Sequence, residues 1–306
     1  MTKNCVLLLG FFDGVHLGHQ ALIRHAADIA HSFPDRPEDT VIGVWTFRSL
    51  PIKKGGVLTD NDEKCALLKS HGVDFVSFAD FDELRSMDGR TFFDREIADR
   101  YSPKAVVCGF NFRFGRNASC TAAELAGFAS LRGIRCEIVP DFTLDGQTVS
   151  SSAIRADISA GELEKASALL GRHYSVTLPV LHGHELGRTI GHPTINQRIP
   201  ENRAAPPHGV YACRTTFTDS ITGETVCRGG VCNIGSRPTV NSDEGDVTLE
   251  TYIFDYHGDL YGAAVKTEFL RRIRGERKFG DIDALKRQIE LDSAAARDIC
   301  ENTGKQ

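Results

Sequence analysis

The sequence predicts two successive folds: an α/β domain on a doubly wound parallel sheet, then an antiparallel β-barrel closed by a terminal helix. Three observations carry this expectation. The first half alternates short apolar runs with helical stretches, and strand–helix alternation implies right-handed crossovers and a parallel sheet. From Tyr174 to Phe269 the chain instead shows short strands punctuated by Gly, Pro, Asn and Asp, the pattern of an antiparallel barrel or sandwich. A length of 306 residues is enough for two domains. The boundary is expected near residues 170–175, giving domains 1–172 and 173–306.

The expected strands of the first half are Cys5–Gly10, Thr40–Phe47, Phe75–Ala79, Ala105–Gly109 and Cys136–Pro140. Continuous apolar runs of this kind suit strands buried on both faces. Between them, Leu22, Ala26 and Ile29 form a one-sided helical stripe, and further helices are expected over Asp62–Ser70, Thr91–Arg100 and Thr121–Leu131. Helical character runs from Ser152 to about Leu170, interrupted near Gly161. Ile282, Leu285 and Ile289 mark the closing helix, with Asp281 as its cap.

Composition excludes several classes. With 41% hydrophobic and 25% charged residues the chain is an ordinary globular protein. A net charge of −5 argues against a non-specific nucleic-acid binder. The run Cys5–Phe12 is too short to cross a bilayer, so no membrane partner is expected. The nine cysteines include no C-x-x-C pair, which argues against a structural zinc site and for free thiols in the cytoplasm. Nothing in the sequence sets the oligomeric state.

The first expected strand runs into Phe11-Phe12-Asp13-Gly14-Val15-His16-Leu17-Gly18-His19-Gln20. Gly14 and Gly18 permit tight turning and close approach to a ligand. His16 and His19 bracket a helix start, whose unpaired N–H groups favour an anion. Two imidazoles there can donate to phosphate oxygens. No third ligand stands at a zinc-binding spacing, and two surface histidines without a role remain the bland alternative. Ser150-Ser151-Ser152-Ala153-Ile154-Arg155 places hydroxyls at a second helix start with an Arg one turn on, suited to phosphate or to a simple cap.

In the second half, His182 to Gly191 is glycine-rich and basic. It is neither a P-loop, which needs Gly-Lys-Ser/Thr, nor a zinc-protease helix, since Arg188 stands where a second His would be needed. Backbone N–H groups of such a loop can approach phosphates. Thr194 and Asn196 follow, both hard oxygen donors suited to Mg²⁺. Glu250 is one acidic residue in the apolar strand Leu249–Phe254. Inside a barrel it would suit a general base; facing outward it would be an ordinary strand Glu.

These motifs resemble, in order and over nearly the whole chain, the bacterial bifunctional riboflavin kinase/FAD synthetases. G-F-F-D-G-V-H-L-G-H-Q is similar to the H-x-G-H signature of nucleotidyltransferases in its FAD-synthetase form. Gly109–Gly115 resembles G-x-[DN]-F-x-F-G, and Ser150–Arg155 resembles S-S-T-x-I-R. Pro193-Thr194-Ile195-Asn196 resembles the P-T-A-N of riboflavin kinases. His208–Tyr211, Gly230–Thr239, Asp259–Gly262 and Glu268–Phe279 match further family segments.

The resemblance implies a Rossmann-like nucleotidyltransferase domain followed by a riboflavin kinase barrel. It implies ATP binding for adenylyl transfer by Gly10, Phe12, His16, Gly18, His19, Ser151, Ser152 and Arg155, with Asn111 toward FMN. For the kinase it implies ATP binding by Gly183, Gly187, Arg188, Thr189 and Gly191, Mg²⁺ at Thr194 and Asn196, Glu250 as catalytic base, and Arg274 toward the flavin. The substrates implied are riboflavin, FMN and ATP. Departures occur at Phe47-Arg48-Ser49-Leu50-Pro51, at Ser119-Cys120-Thr121, and at His192, where the family commonly has Phe. They leave two alternatives open: a kinase with an impaired adenylyltransferase, and a non-catalytic flavin- or nucleotide-binding regulator.

Overall fold

A computed structural model of the chain describes residues 4–33, 40–48, 55–183, 191–237 and 246–303. Gly187, Arg188 and Thr189 of the expected ATP loop, and Ser49-Leu50-Pro51, lie outside the described residues. The chain divides into two compact units: Met1–Lys53 with Thr59–Ser151, and Lys54–Leu58 with Ser152–Gln306.

The first unit runs β1 (Asn4–Leu9), α1 (Leu17–Ser32), β2 (Thr40–Phe47), α2 (Asn61–Ser70), β3 (Phe75–Ala79), α3 (Phe81–Leu84), α4 (Gly89–Phe92), β4 (Ala105–Gly109), the hairpin β5 (Arg113–Phe114) and β6 (Cys120–Thr121), α5 (Ala122–Leu131), β7 (Arg135–Val139), and the hairpin β8 (Thr143–Leu144) and β9 (Gln147–Thr148). The sheet order is β3-β2-β1-β4-β7 with every pairing parallel. β1 explains its own apolar run. Val6 and Leu8 pack under α1, while Cys5, Leu7 and Leu9 pack on the other face with α5 and the segment around Phe93. A strand covered on both sides has no polar face to show.

The expected helix Thr91–Arg100 takes a different form. A short α turn at Gly89–Phe92, capped by Asp88, leads into a π-helical segment Phe93–Asp99. Phe92, Phe93, Ile97 and Ala98 are all buried there, and the wider π turn brings these closely spaced apolar residues onto one side. At the Ser119-Cys120-Thr121 departure, Thr121 caps α5 reciprocally with Glu124.

The second unit holds α6 (Ser151–Ala160, its first residue counted with the first unit), α7 (Leu163–Leu170), β10 (Tyr174–Pro179), β11 (Thr194–Ile199), β12 (Gly209–Thr218), β13 (Thr225–Arg237), β14 (Asp246–Ile253), β15 (Ala264–Arg274) and α8 (Ile282–Thr303). The helical run expected from Ser152 breaks at Gly161, whose φ of 80° is left-handed. The six strands form one antiparallel sheet ordered β10-β15-β12-β13-β14-β11. It curls until its edge strands meet. Buried Gln197 on β11 donates to the Leu178 carbonyl of β10 at 2.7 Å and to Val265 of β15 at 2.9 Å, and accepts from Thr267 at 3.1 Å. Leu181 N–H adds a backbone bond to Asn196 at 2.7 Å. The Asp281 carboxylate caps α8 through Ala284 N–H at 2.7 Å.

Two candidate active sites

In the first sheet, β1 connects toward β2 and β3 on one side, while β4 and β7 lie on the other. The strand order therefore reverses between β1 and β4, and ligands of open α/β sheets bind beyond the carboxyl ends of the strands at such a point. The turn after β1 and the turn after β4 both emerge there, since Leu9 pairs with Cys108.

The turn after β1 is built on unusual backbone. Phe12 (φ 55°), Gly14 (φ 81°) and Val15 (φ 42°) are all left-handed. Such a conformation is uncommon for any side chain and an outlier for a β-branched one, and strain of this kind concentrates at functional sites. Surrounding bonds hold it. Gly14 N–H donates to Thr59 Oγ1 at 3.1 Å, Thr59 N–H to Asp13 Oδ1 at 3.3 Å, and Ser151 Oγ to the Asp13 carbonyl at 2.9 Å. His16 then caps α1, its Nδ1 accepting from His19 N–H at 3.3 Å. An accepting Nδ1 leaves the neutral ring's proton on Nε2. The His16 and His19 rings stack at 3.7 Å, and Phe12 lies 5.0 Å from His19. Gly10 and Gly18 sit in close quarters: a Cβ would lie 3.0 Å from the Phe12 ring at Gly10 and 3.2 Å from the His16 ring at Gly18, so those rings would have to shift by a few tenths of an ångström. The structure thus gathers Gly10, Phe12, His16, Gly18, His19 and Ser151. Asn111 is exposed just beyond β4. Ser152 and Arg155 belong to the second unit, where buried Arg155 donates to Ser152 Oγ at 3.1 Å.

The second site follows from strand register. Glu250 on β14 lies opposite Asn196 on β11 and Asn233 on β13, and Tyr252 lies opposite Thr194 and Val231. Cross-strand partners share a face. These six side chains therefore share one surface, and all but Asn196 line, together with α8, a cavity of about 580 Å³, a size suited to a small ligand. One wall is apolar, from Val210, Val231, Leu285 and Ile289; His192, Thr194, Asn233 and Glu250 supply polar groups. Of the two orientations the sequence left open for Glu250, the structure shows the one that faces away from the barrel interior. Leu249 and Thr251 point inward and are fully buried, so Glu250 faces the opposite way, toward α8. A Cβ on Gly183 would come within 2.4 Å of the Asn196 amide, so this backbone approaches as only glycine can. Gly191 has a left-handed φ of 85°. The Thr194 and Asn196 oxygens suit a magnesium ion, which takes few protein ligands and shares phosphate oxygens. Among the described residues there is no cluster of three His, Cys, Asp or Glu fit for a metal held by protein alone.

A family model described as FAD synthetase matches residues 1–153, and one described as riboflavin kinase matches residues 170–300. The bifunctional riboflavin kinase/FMN adenylyltransferase of Bacillus subtilis is 34% identical over 95% of this chain and 91% of its own length. That of Haemophilus influenzae is 34% identical over 97% and 94%. The chain belongs to this family. A solved structure from Streptococcus pneumoniae described as a macrolide-efflux protein matches with TM-score 0.82 and 29% identity, covering 97% of this chain and 95% of that one. No helix among the described residues here is long and apolar enough to cross a membrane.

Several residues of the second site escaped the sequence reading. Asp292 is nearly fully buried and binds Arg274 in a fork, with Nε 3.0 Å and Nη2 2.7 Å from Oδ2. Arg274 Nη1 donates to the Gly275 carbonyl at 2.9 Å, and its guanidinium lies 5.7 Å from the Phe279 ring. Arg274 does line the cavity, tied to α8. The clue lay in periodicity: Asp292 occupies a position of the apolar stripe Leu285, Ile289, Ala296, where a carboxylate needs a partner. Asn233 and Tyr252 were hidden because pairing register cannot be read from one strand alone.

Proposed function

We infer that the chain converts riboflavin to FMN in its C-terminal half and FMN to FAD in its N-terminal half, with the functional boundary near residue 172. In the first reaction ATP phosphorylates the ribityl primary hydroxyl, releasing ADP. In the second, FMN attacks the α-phosphate of ATP, releasing pyrophosphate. The observation that carries the reading is Glu250, set between Asn196 and Asn233 on the wall of a ligand-sized cavity.

In the kinase half, Glu250 accepts the hydroxyl proton as that oxygen attacks the γ-phosphate. The apolar wall receives the flavin ring, while the backbones at Gly183 and Gly191 let phosphates approach closely. Thr194 and Asn196 would hold magnesium, which supplies charge neutralisation on the nucleotide phosphates when bound. In the adenylyltransferase half, the α1 N-terminus and the Nε2–H of His16, with His19 stacked on it, donate to ATP phosphates. Asn111 stands on the FMN side. We place both reactions in the cytoplasm, with riboflavin, FMN and ATP as partners.

The test is the time course of FMN and FAD from riboflavin with ATP and Mg²⁺. FMN should rise and then decline as FAD accumulates. FMN persisting with no FAD after complete conversion would establish the kinase alone; neither product forming would leave a binding module.

A further inference from the structure

Lys64 is a lysine that the two reactions do not explain. It lies on α2, is only 1% exposed, and sits one helical turn before buried Leu68, in a position that normally holds an apolar side chain. Burying an ammonium is costly unless partners compensate for its lost hydration. Its own partners are modest. Nζ donates to the Phe47 carbonyl at 3.4 Å and lies 4.1 Å from the ring centroid of Phe11 and 5.7 Å from that of Phe78.

Those partners lead to the adenylyl-transfer turn. Phe11 opens it, and its carbonyl is held by Thr46 at 3.0 Å. Asp13, 97% buried, exerts the larger of the two attractions on the ammonium, ahead of Asp60, and its carboxylate engages Thr59, which in turn holds Gly14. Thr59, Asp60 and Lys64 are one short segment, so the segment that starts α2 grips the turn at Phe11, Asp13 and Gly14. We infer that Lys64 is a positioning residue for FAD formation: its buried charge, attracted by Asp13, holds the Phe11–Gly14 turn in place and biases it toward the phosphates of ATP. This rests on the reading of His16 and His19 as the ATP-binding pair.

Burial pulls the Lys64 ammonium down to about 8, opposed by Asp13 on the turn and Asp60 at the α2 cap. Phe47, Phe11 and Phe78 carry no charge; Arg48 faces the Phe78 ring at 5.6 Å, and His16 lies further along the turn. An anionic nucleotide favours the charged lysine. The contribution to ATP affinity is therefore present below about pH 8 and lost as pH rises through it.

The experiment follows FAD formation from FMN and ATP by the full chain between pH 7 and 9.5. For the unmodified protein KM for ATP should rise roughly five- to tenfold across this range. Lys64→Met should show a KM raised by about tenfold at pH 7, flat with pH, and a smaller change in kcat. FMN formation from riboflavin in the same sample should persist. A wild-type KM that is flat through pH 8 overturns the inference without any variant. So does a Lys64→Met protein that keeps the wild-type KM at pH 7, or that keeps the rise. His16→Ala with His19→Ala separates the two readings: unimpaired FAD formation there removes the ATP-binding pair itself, whereas a large loss there with an unaltered Lys64→Met removes only the role of Lys64.

Discussion

The two candidate sites are built by opposite constructions. The first is made of backbone: eleven consecutive residues, Gly10 to Gln20, carry a left-handed turn, a histidine cap and a helix start. The second is made of side chains spread over about a hundred residues, from Gly183 and Thr194 to Asp292, assembled by strand register and closed by α8. A contiguous backbone site is specified by local sequence and tolerates little within it. A register-built site depends on the sheet and helix that align it. Changes at each should therefore fail differently.

The largest expected effect removes a reacting group. Glu250→Gln should lower FMN formation by about 10²- to 10⁴-fold, the usual contribution of a positioned general base. FAD formation from supplied FMN should stay within twofold. Chromatographic measurement of both flavins decides it, and undiminished FMN formation would discard Glu250 as the base.

Next comes the backbone-built site. His16→Ala with His19→Ala should cut FAD formation by about 10²- to 10³-fold, the scale of losing transition-state hydrogen bonds to phosphate. FMN formation should be untouched. A loss of both activities would show that the two sites are not the separate constructions described.

This difference also governs what could be read from sequence. The central strands were legible because they are apolar runs covered on both faces, as β1 shows with Val6 and Leu8 against α1 and Leu7 against α5, while the edge strand β7 carries Arg135 and Glu137 and is partly exposed. The core of the first site was legible because Gly10 to His19 are consecutive, although Ser151 joins them from far along the chain. The π segment at Phe93–Asp99 was not, since adjacent buried phenylalanines read as an ordinary helix. The side to which Glu250 points was not legible either. Strand alternation fixes that Leu249 and Glu250 point apart, but only the placement of α8 says which side is the cavity. Lys64 and Asp292 left a trace in the sequence, a charge on an apolar stripe, without naming the partner.

A smaller effect should follow from weakening the tie between sheet and helix. Asp292→Asn keeps the shape and removes the charge that grips Arg274, both of them largely out of solvent. Hydrogen bonds to charged groups contribute about 1.5–3 kcal/mol, so the second unit should lose on the order of 2 kcal/mol in chemical denaturation. Because Arg274 and α8 both line the cavity, KM for riboflavin should rise several-fold with kcat changed less. A stability loss with an unaltered KM would make the pair a scaffold tie with no bearing on flavin binding.

The smallest expected effect is the most discriminating for the backbone-built site. Gly18→Ala places a methyl group 3.2 Å from the His16 ring, close enough to displace it by a few tenths of an ångström. The same change removes a glycine from the first turn of α1, where alanine is intrinsically better by up to about 1 kcal/mol. Crowding and helix propensity oppose each other in stability, so the melting temperature should hardly move. They do not oppose each other in catalysis, because the histidine that is pushed is the one proposed to meet the phosphates. FAD formation should therefore fall several-fold in a protein as stable as its parent, measured with thermal melting and FAD kinetics on one preparation. Equal FAD rates would mean that the His16 ring tolerates the shift, and that the glycine serves the tight turn alone.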